Sequence, residues 1–352
     1  MKGFWILFIL NLYLFLKMAL SILIVPIVFS FLVTLFLLPI WIRRAKKAGI
    51  IGKDLNKYDN PEIPESGGVT VLTGFALGVL IYIAIVTFII KSTNNLIEIF
   101  ALLSSILLIA FIAFTDDVLG WKIGLRRRTR LIMVFFASIP LIAINAGKSV
   151  IGLPYFGVVD MGIIYPLLLI PLGIVGATTT FNFLAGYNGL EAGQGIIVLF
   201  ALAVTSYLTG GGWLAIIALC MIGALFAFLL FNFYPAKIFP GDSLTYPVGG
   251  LIAIMAILGN FEKIAVFFFI PYIIETFLKI KGRLIKQSFA APTDEGFLFL
   301  KDNKIYSLSH LAIFLMQKMR IKPTEKKVVY YLWAFQIAVV VIGFMIFKDN
   351  LL

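Results

Sequence analysis

Long apolar runs alternate with short polar stretches along almost the whole chain. A helix needs about 17 to 25 apolar residues to cross the hydrocarbon core of a bilayer. Runs of roughly this length lie near residues 19–41, 68–90, 96–114, 131–147, 162–180, 194–209, 213–233, 244–258, 262–280 and 328–347. The pattern predicts an all-α polytopic membrane protein with about ten transmembrane helices, formed by residues 1–352 as a single domain.

Two stretches fall outside this series. Residues 4–16 are apolar but too short to span a bilayer, so residues 1–17 are interpreted as an N-terminal extension. This extension is an interfacial helix or lies upstream of a true start at Met18, and a signal-like segment is less favoured because no A-x-A-like cleavage site follows it. The long polar stretch 283–327 is predicted to be a cytoplasmic loop or a small subdomain.

Composition excludes a soluble globular protein, since 61% of the residues are hydrophobic, 13% are charged and the mean hydropathy is +1.06. The single cysteine, Cys220, excludes an internal disulfide framework. A net charge of +12 could suggest nucleic acid as a partner. The basic residues lie between apolar runs, however, so they indicate topology, and no nucleic acid is expected to bind.

Most of the Lys and Arg residues follow the odd-numbered spans, within 43–57, 122–130 and 279–327. The loops on the other side hold only Lys91, Lys148 and Lys263 before the C-terminal Lys348. The positive-inside rule therefore places the basic loops in the cytoplasm. Compact loops and the lack of an evident sorting signal favour a prokaryotic cell membrane over the endoplasmic reticulum.

Four polar clusters all fall on this predicted cytoplasmic side. They are KDLNKYDNPEIPESGG (53–68), FTDDVLGWKIGLRRRTR (114–130), NFLAGYNGLEAGQG (182–195) and FPGDSLTYPVGG (239–250). Loops that lie on one side of a helical bundle can converge, so the clusters predict active-site loops that face cytoplasmic substrate and the membrane together.

Carboxylates stand at the ends of apolar spans, with Asp116 and Asp117 closing one and Asp242 opening another. A carboxylate at membrane depth costs about 2.5 to 3.5 kcal/mol on insertion scales. Any single acid could be a helix cap or a topological marker, whereas the three acids together with Asn182 favour a site. Asn182, Asp242 and one acid of the pair form a hard-oxygen set that suits Mg²⁺, with Mn²⁺ as an alternative.

Glycines and arginines in the same loops carry two interpretations each. Gly186 and Gly189, beside asparagines, favour close approach of backbone to a ligand, while Gly249 and Gly250 are equally consistent with tight helix packing. The arginines at 126–128 and 130 are either topological or a clamp for phosphate oxygens.

These motifs resemble those of the polyprenyl-phosphate N-acetylhexosamine-1-phosphate transferase superfamily, and most closely its dolichyl-phosphate GlcNAc-1-phosphate transferase branch. The similarity runs from about residue 19 to 282. It is carried by DLNK followed by IPES (54–66), DDVL (116–119), GLRRRTR (124–130), NFLAGYNGLEAGQ (182–194) and FPGD (239–242).

The resemblance implies ten transmembrane helices and transfer of GlcNAc-1-phosphate from UDP-GlcNAc to a polyprenyl or dolichyl phosphate. UMP would be released in this first membrane step of lipid-linked glycan synthesis. Membrane lipid would surround the protein, which could form a homodimer. The resemblance implies that Asn182 and Asp242 are Mg²⁺ ligands and that Asp116 and Asp117 are an essential acidic pair. It implies that Asn188 and the backbone of Leu55 contact uracil, that Phe239 stacks on it and that Glu65 contacts the ribose. In the arginine-rich loop, Arg130 is expected to be catalytic and Arg128 to bind substrate.

This chain departs from the family in two places. Arg130 stands where the family's arginine-rich loop usually has lysine. In the last cytoplasmic loop, where the eukaryotic branch has an R-H-R cluster for the donor phosphates, the stretch APTDEG places Thr293, Asp294 and Glu295. Arg283 is the substitute we expect as the main donor-phosphate contact, with Lys286 second, although both could be topological. The only histidine, His310, is expected to be structural or at the surface.

Two other classes of protein remain open at this stage. Intramembrane acids and glycine-broken helices also mark ion-coupled transporters, although the polar clusters lie at one face and no inverted repeat is evident. A channel or membrane scaffold would make the motifs incidental. For a transferase, direct attack by the lipid phosphate and a two-step route through an aspartyl-phosphate are both consistent with the sequence.

Overall fold

The computed structural model describes residues 13, 14, 17, 22–153, 157–300 and 304–351. Most of the predicted extension 1–17 therefore lies outside the described residues. Helices account for most of the described chain, and their bounds are α1 (Ile24–Ala48), α2 (Gly68–Ala84), α3 (Leu96–Ile123), α4 (Arg127–Phe136), α5 (Ile139–Ala143), α6 (Ile170–Phe183), α7 (Leu190–Leu208), α8 (Gly212–Asn232), α9 (Asp242–Gly259), α10 (Glu262–Phe268), α11 (Ile270–Lys281), α12 (Leu308–Lys318), α13 (Glu325–Ile346) and α14 (Lys348–Leu351).

Three short antiparallel hairpins join some of these helices. They pair β1 (Ile51–Lys53) with β2 (Glu62–Pro64), β3 (Val150–Leu153) with β4 (Gly157–Asp160), and β5 (Ala291–Pro292) with β6 (Leu298–Phe299). Irregular helical turns at 85–90 and 165–169 extend α2 and precede α6. The long connection 283–327 thus contains a hairpin and α12.

Eight helical segments of the described chain are long and apolar enough to cross a membrane without interruption. They confirm an all-α integral membrane protein. The other two predicted spans, 131–147 and 262–280, are each occupied by two helices, α4 with α5 and α10 with α11. Pro140 and Pro271 stand in the first turn of the second helix in each pair, where the missing backbone N–H of proline is tolerated.

Each broken pair still crosses the bundle. Arg130 in α4 contacts Asp242 at the first residue of α9, whereas a side chain at Gly147 would lie 2.9 Å from the carbonyl oxygen of Ile257, near the end of α9. Since α9 rises by about 27 Å over its length, the segment 130–147 travels the same distance. The second pair also runs between the two ends, since Glu262 accepts from the hydroxyl of Tyr165 at the end that holds Gly147 and Lys279 lines a cleft with Arg130. Ten segments of the described chain therefore traverse the bundle, eight of them unbroken.

The helices pack around a centre formed by α7, α8 and α9, the most buried of the long helices. In the most apolar 18-residue segment of each helix, 22% of the residues are buried in α1 and 33% in α13, so these outer helices present apolar side chains to lipid. In α9 the buried share is 83%, so α9 lies inside the bundle. Leu38, Phe75 and Phe228 are among the fully buried side chains between α1, α2 and α8. The loops after the first, third, fifth, seventh and ninth crossings meet at one end of the bundle, called here the site end.

Candidate active site

Asp242, the first residue of α9, is the centre of a polar cluster at the site end. Its Oδ1 accepts a hydrogen bond from Nδ2 of Asn182 at 3.0 Å, and its Oδ2 accepts one from Arg130. The same guanidinium nitrogen of Arg130 donates to Asp116. We call Asp116, Arg130, Asn182 and Asp242 the central cluster, because it joins one residue from each of α3, α4, α6 and α9.

Asp117, the second acid of the pair, is a helix cap contributed by a neighbouring helix. Its Oδ1 accepts a hydrogen bond from the backbone N–H of Asp242 at 2.9 Å, and its Oδ2 accepts one from that of Ser243 at 3.1 Å. The first N–H groups of a helix have no partner within the helix, and a negative charge there is favoured by the helix dipole. Asp117 therefore fixes the start of α9, and with it the position of Asp242.

Five residues given roles by the resemblance line one cleft of about 310 Å³ beside the central cluster, which we call the central cleft. They are Glu65, Asn182, Asn188, Phe239 and Asp242. Its lining also includes Glu191 and Asn232. The structure thus brings together residues from three loop regions that are far apart in sequence.

The loop that carries Glu65 is held against the loop that carries Phe239. The backbone N–H of Phe239 donates to the carbonyl of Pro64 at 2.8 Å, and that of Gly67 donates to the carbonyl of Phe239 at 2.9 Å. Gly52 on β1 leaves space for the carboxyl group of Glu65, which a side chain there would strike. Burial, and secondarily the charge of Asp242, raise the pKa of Glu65.

Asn188 is buried in an ion-paired network that the sequence analysis missed. Its side-chain amide donates to Asp54 at 3.1 Å, and its backbone N–H donates to Glu325 at 2.8 Å. Lys57 bridges the same two acids at 2.6 and 3.0 Å. Burial lowers the pKa of Lys57, but the charge of Glu325 and the hydrogen bonds to both acids outweigh it and raise the pKa overall.

A sequence signal for Glu325 exists. Thr324 directly precedes Glu325 and an apolar run, which is typical of a helix start, and Thr324 does cap α13 by accepting from the backbone N–H of Lys327. The predicted span 328–347 began three residues too late to include the acid. The network ties the loop after α1 to the loop after α6 and to α13.

A second cleft of about 470 Å³ lies on the other side of Asn182, and we call it the basic cleft. Its cationic lining residues are Arg127, Arg130, Lys279 and Lys286. No Asp or Glu occurs among the described residues that line it. The basic cleft and the central cleft share Asn182, so the central cluster stands where they meet.

A third cleft, of about 610 Å³, lies further out and includes Leu55, Lys286 and His310 in its lining. We call it the outer cleft. His310 is buried, and its ring nitrogens lie 3.4 Å from the backbone N–H of Tyr306 and 3.3 Å from the carbonyl oxygen of Phe289. Burial lowers the pKa of His310, which fits the neutral, structural ring that the sequence analysis favoured.

Phe289 lines all three clefts. Its ring would lie 2.9 Å from a side-chain carbon at Gly186, a residue whose φ of +106° suits glycine. The sequence analysis did not single out Phe289, because one phenylalanine in the stretch QSFAAP looks like any other apolar residue in a loop.

Two predicted contacts lie apart from these clefts. Arg128 and Arg283 are exposed, and the basic cleft has Arg127 and Lys286 in its lining instead. Thr293, Asp294 and Glu295 occupy the turn between β5 and β6, where the backbone N–H of Phe297 donates to the hydroxyl of Thr293 at 3.0 Å.

The side chains at the central cluster are suited to a hard cation. Among the described residues no group of three or more His, Cys, Asp or Glu side chains is arranged to hold a metal ion, and the candidate set is an amide with a carboxylate. Asn182 Oδ1 accepts from the hydroxyl of Thr245 at 2.9 Å, and a half-turn of this amide, which exchanges its O and N, would direct the oxygen to Asp242. Mg²⁺ commonly takes one or two protein oxygens together with waters and phosphate oxygens, so the donor set fits Mg²⁺.

Fold and site together define an integral membrane protein of about ten crossings with a polar site at the junction of the central cleft and the basic cleft. The sequence profile of glycosyl transferase family 4 matches residues 99–260. A Saccharolobus solfataricus protein, assigned the name of a UDP-N-acetylglucosamine–dolichyl-phosphate N-acetylglucosaminephosphotransferase, is 38% identical over 90% of this chain and 94% of its own length.

Two further relatives come from distant organisms. The Dictyostelium discoideum UDP-N-acetylglucosamine–dolichyl-phosphate N-acetylglucosaminephosphotransferase is 34% identical over 70% of this chain and 69% of its own. A Bacillus subtilis protein, named for undecaprenyl-phosphate N-acetylglucosaminyl 1-phosphate transfer, is 30% identical over 76% of this chain and 74% of its own. The chain belongs to glycosyl transferase family 4, and within it to the polyprenyl-phosphate N-acetylhexosamine-1-phosphate transferases.

Proposed function

We propose that the protein transfers GlcNAc-1-phosphate from UDP-GlcNAc to a polyprenyl or dolichyl phosphate and releases UMP. The names of the Saccharolobus and Dictyostelium relatives support this substrate pair. The observation that carries the proposal is the position of Asp242, whose two carboxylate oxygens contact Asn182 and Arg130 where the central and basic clefts meet. Such a junction allows two substrates to meet at the phosphoryl group that is transferred.

The donor nucleoside fits the central cleft. Phe239 offers a ring for the uracil, Asn188 an amide beside it, and Glu65 a carboxyl group for the ribose hydroxyls. Asn182 and Asp242 would hold Mg²⁺, which when bound neutralises the charge of the donor diphosphate. Arg130, held between Asp116 and Asp242, keeps a fixed positive charge next to the same position.

The acceptor chain fits an apolar groove of about 420 Å³ between α6, α9 and the α10–α11 pair. The groove begins near Tyr165 and Glu262, at the end of the bundle opposite the site, and reaches Thr180 on α6. Thr180 precedes Asn182 by two residues, a rise of about 3 Å along the helix. A prenyl chain in this groove would therefore direct its phosphate toward the central cluster.

The chemistry that follows is a direct displacement. An oxygen of the acceptor phosphate forms a bond to the phosphorus that carries GlcNAc, and the bond from that phosphorus to the bridging oxygen breaks, so UMP leaves with the electron pair. Both oxygens of Asp117 already accept backbone N–H bonds, which makes this carboxylate a poor nucleophile and supports the one-step route. UMP release without acceptor lipid would instead indicate an aspartyl-phosphate intermediate.

We place the site end in the cytoplasm of a prokaryotic cell, where UDP-sugars are made. The support is the concentration of Lys and Arg in the loops that meet there. Membrane lipid and the two substrates are the partners that this placement requires.

The test is UMP release by the purified protein from UDP-GlcNAc, UDP-GalNAc and UDP-glucose, with and without a polyprenyl phosphate. The proposal expects release that depends on the acceptor and is fastest with UDP-GlcNAc. Substrate flux in proteoliposomes without UMP release would favour a transporter. The absence of both activities would favour a membrane scaffold.

A further inference from the structure

The basic cleft contains more positive charge than the central cluster uses. Arg130 is paired with Asp116 and Asp242, and Lys279 with Glu275 behind the cleft wall. Arg127 and Lys286 also line the cleft, and no acid occurs among its described lining residues. Cations gathered on the wall of one cavity repel each other, and an anion that enters it relieves this repulsion. The cleft is therefore suited to an anionic ligand.

Lys279 is the fixed cation on the inner wall of this cleft. Its side chain is only 12% exposed and lies 3.7 Å from the carboxylate of Glu275, which is fully buried. Glu275 is itself held, because its other oxygen accepts from the backbone N–H of Leu308 at 2.6 Å. The ammonium group also donates to the hydroxyl of Ser288. An ammonium has three N–H donors, so these contacts fix Lys279 and leave a donor for a ligand.

The rim of the basic cleft is apolar and exposed. Leu284 and Ile285 line the cleft and are 41% and 75% exposed, and Ile132, next to the lining residue Leu131, is 57% exposed. Exposed apolar side chains beside cations are typical of a membrane interface, where the apolar groups enter the bilayer and the charges face phosphate. The ligand therefore has access from the lipid phase.

The apolar groove leads to the same place. It includes Ile273 on α11, and Lys279 follows six residues later, about 9 Å further along the helix. On α6 the groove ends at Thr180 and the basic cleft begins at Thr179 and Phe183. Groove and cleft thus follow one another along two neighbouring helices.

We propose that Lys279, with Arg127 and Lys286 at its side, binds the phosphate group of the lipid acceptor. This inference rests on the proposed function, in which both substrates carry phosphate. It assigns the basic cleft to the monophosphate of the lipid and not to the diphosphate of the donor. The apolar rim and the adjoining groove favour the lipid substrate. UDP-GlcNAc is water-soluble, so its binding requires neither an apolar rim nor an apolar groove.

Direct binding tests this without turnover. Farnesyl phosphate and farnesol are titrated in detergent against wild type, Lys279→Met, Lys279→Arg and Lys281→Met, the last being an exposed lysine on the same helix. Lys279→Met should weaken farnesyl phosphate binding about tenfold or more, because a hydrogen bond to a charged group is lost. Farnesol binding should not change, Lys279→Arg should restore most of the affinity, and Lys281→Met should match wild type.

UDP-GlcNAc titrated against the same proteins separates the two phosphate sources. Weaker UDP-GlcNAc binding by Lys279→Met with unchanged farnesyl phosphate binding would assign the cleft to the donor and overturn the proposal. Equal loss of farnesol and farnesyl phosphate would show a general packing defect and also overturn it. Thermal unfolding of each variant checks that the protein is folded.

Turnover distinguishes this inference from the proposed function. If Lys279→Met releases UMP with an unchanged Michaelis constant for the acceptor, the inference fails and the transferase function stands. If no form of the protein releases UMP while farnesyl phosphate binding still depends on Lys279, the transferase function fails and the lipid-phosphate site stands.

Discussion

Phe239 has its backbone held on both sides, by Pro64 and by Gly67, so its ring can serve as a rigid platform in the central cleft. We expect Phe239→Ala to raise the Michaelis constant for UDP-GlcNAc, because stacking on an aromatic ring contributes about 1 to 3 kcal/mol per base. The constant for the lipid acceptor should stay the same. Steady-state kinetics with each substrate varied in turn would measure both, with Phe299→Ala in the β5–β6 hairpin as the control.

An effect of Phe239→Ala confined to the acceptor would contradict this account. It would show that the ring belongs to the lipid path and that the nucleoside lies elsewhere.

Glu65 has a raised pKa, caused first by burial and then by Asp242. The folded protein therefore binds more protons than the unfolded chain over the interval between the two pKa values of this group, and stability falls as pH rises through that interval. Ionisation of this carboxyl group therefore opposes folding. Glu65→Gln should raise the thermal unfolding temperature at pH 7.5, and the gain should shrink at pH 5.

The same substitution should weaken UDP-GlcNAc binding if Glu65 contacts the ribose. Thermal scans at the two pH values with Glu62→Gln as an exposed control measure the stability effect. A gain that is equal at both pH values would show that the charge is not its cause.

Residues of the site differed in how far sequence could reveal them. Asp116, Asn182 and Asp242 stood out because polar groups at the ends of apolar spans are costly, and the structure brings them together. Lys279 resembled one more cytoplasmic basic residue, and Phe289 one more apolar residue. Their significance depends on which cleft each side chain lines, and no local pattern records that.

At the scale of elements, hydropathy predicted where the chain crosses the bundle but not where helices break. The spans 131–147 and 262–280 contain Pro140 and Pro271, which begin new helices, and an average over a window does not register a proline. The β5–β6 hairpin and α12 in 283–327 were expected only as a cytoplasmic loop or a small subdomain, because short strands of two residues have no periodicity to detect.

Gly249 allows α9 to approach α6 closely, which decides between the two interpretations left open by the sequence. A side-chain carbon there would lie 2.6 Å from the carbonyl oxygen of Ala177, whereas one at Gly173 on α6 would meet nothing within 4 Å. We expect Gly249→Ala to lower the thermal unfolding temperature, because the two backbones must separate. Gly173→Ala should be neutral or stabilising, since alanine favours a helix by about 1 kcal/mol.

Thermal unfolding in one detergent compares the two variants directly. Equal stability of Gly249→Ala and wild type would show that the helices can move apart freely, and Gly249 would then have no packing role.

At the scale of the whole molecule, the basic loops that the sequence assigned to one side do meet, since Asn56 donates to Gly186 and Arg127 to Leu284 across loops.

The assignment of these loops to one side of the membrane follows from charge alone. Cysteine labelling tests it, because the native Cys220 is buried. In intact cells an impermeant maleimide should label Lys148→Cys and spare Asp294→Cys, both exposed positions, and lysis should expose both. Labelling of Asp294→Cys in intact cells would reverse the orientation.

The central claim is that the cluster around Asp242 is the reaction centre of a transferase. The most direct measurement is acceptor-dependent UMP release with Mg²⁺ by wild type, by Asp242→Asn and by Asp160→Asn, an exposed acid at the opposite end of the bundle. Each 1.36 kcal/mol of lost transition-state stabilisation lowers the rate about tenfold, so Asp242→Asn should lose about a hundredfold or more while Asp160→Asn keeps wild-type turnover. Wild type in excess EDTA should also be inactive. Turnover by Asp242→Asn at the wild-type rate, or full activity of wild type without a divalent cation, would contradict the account.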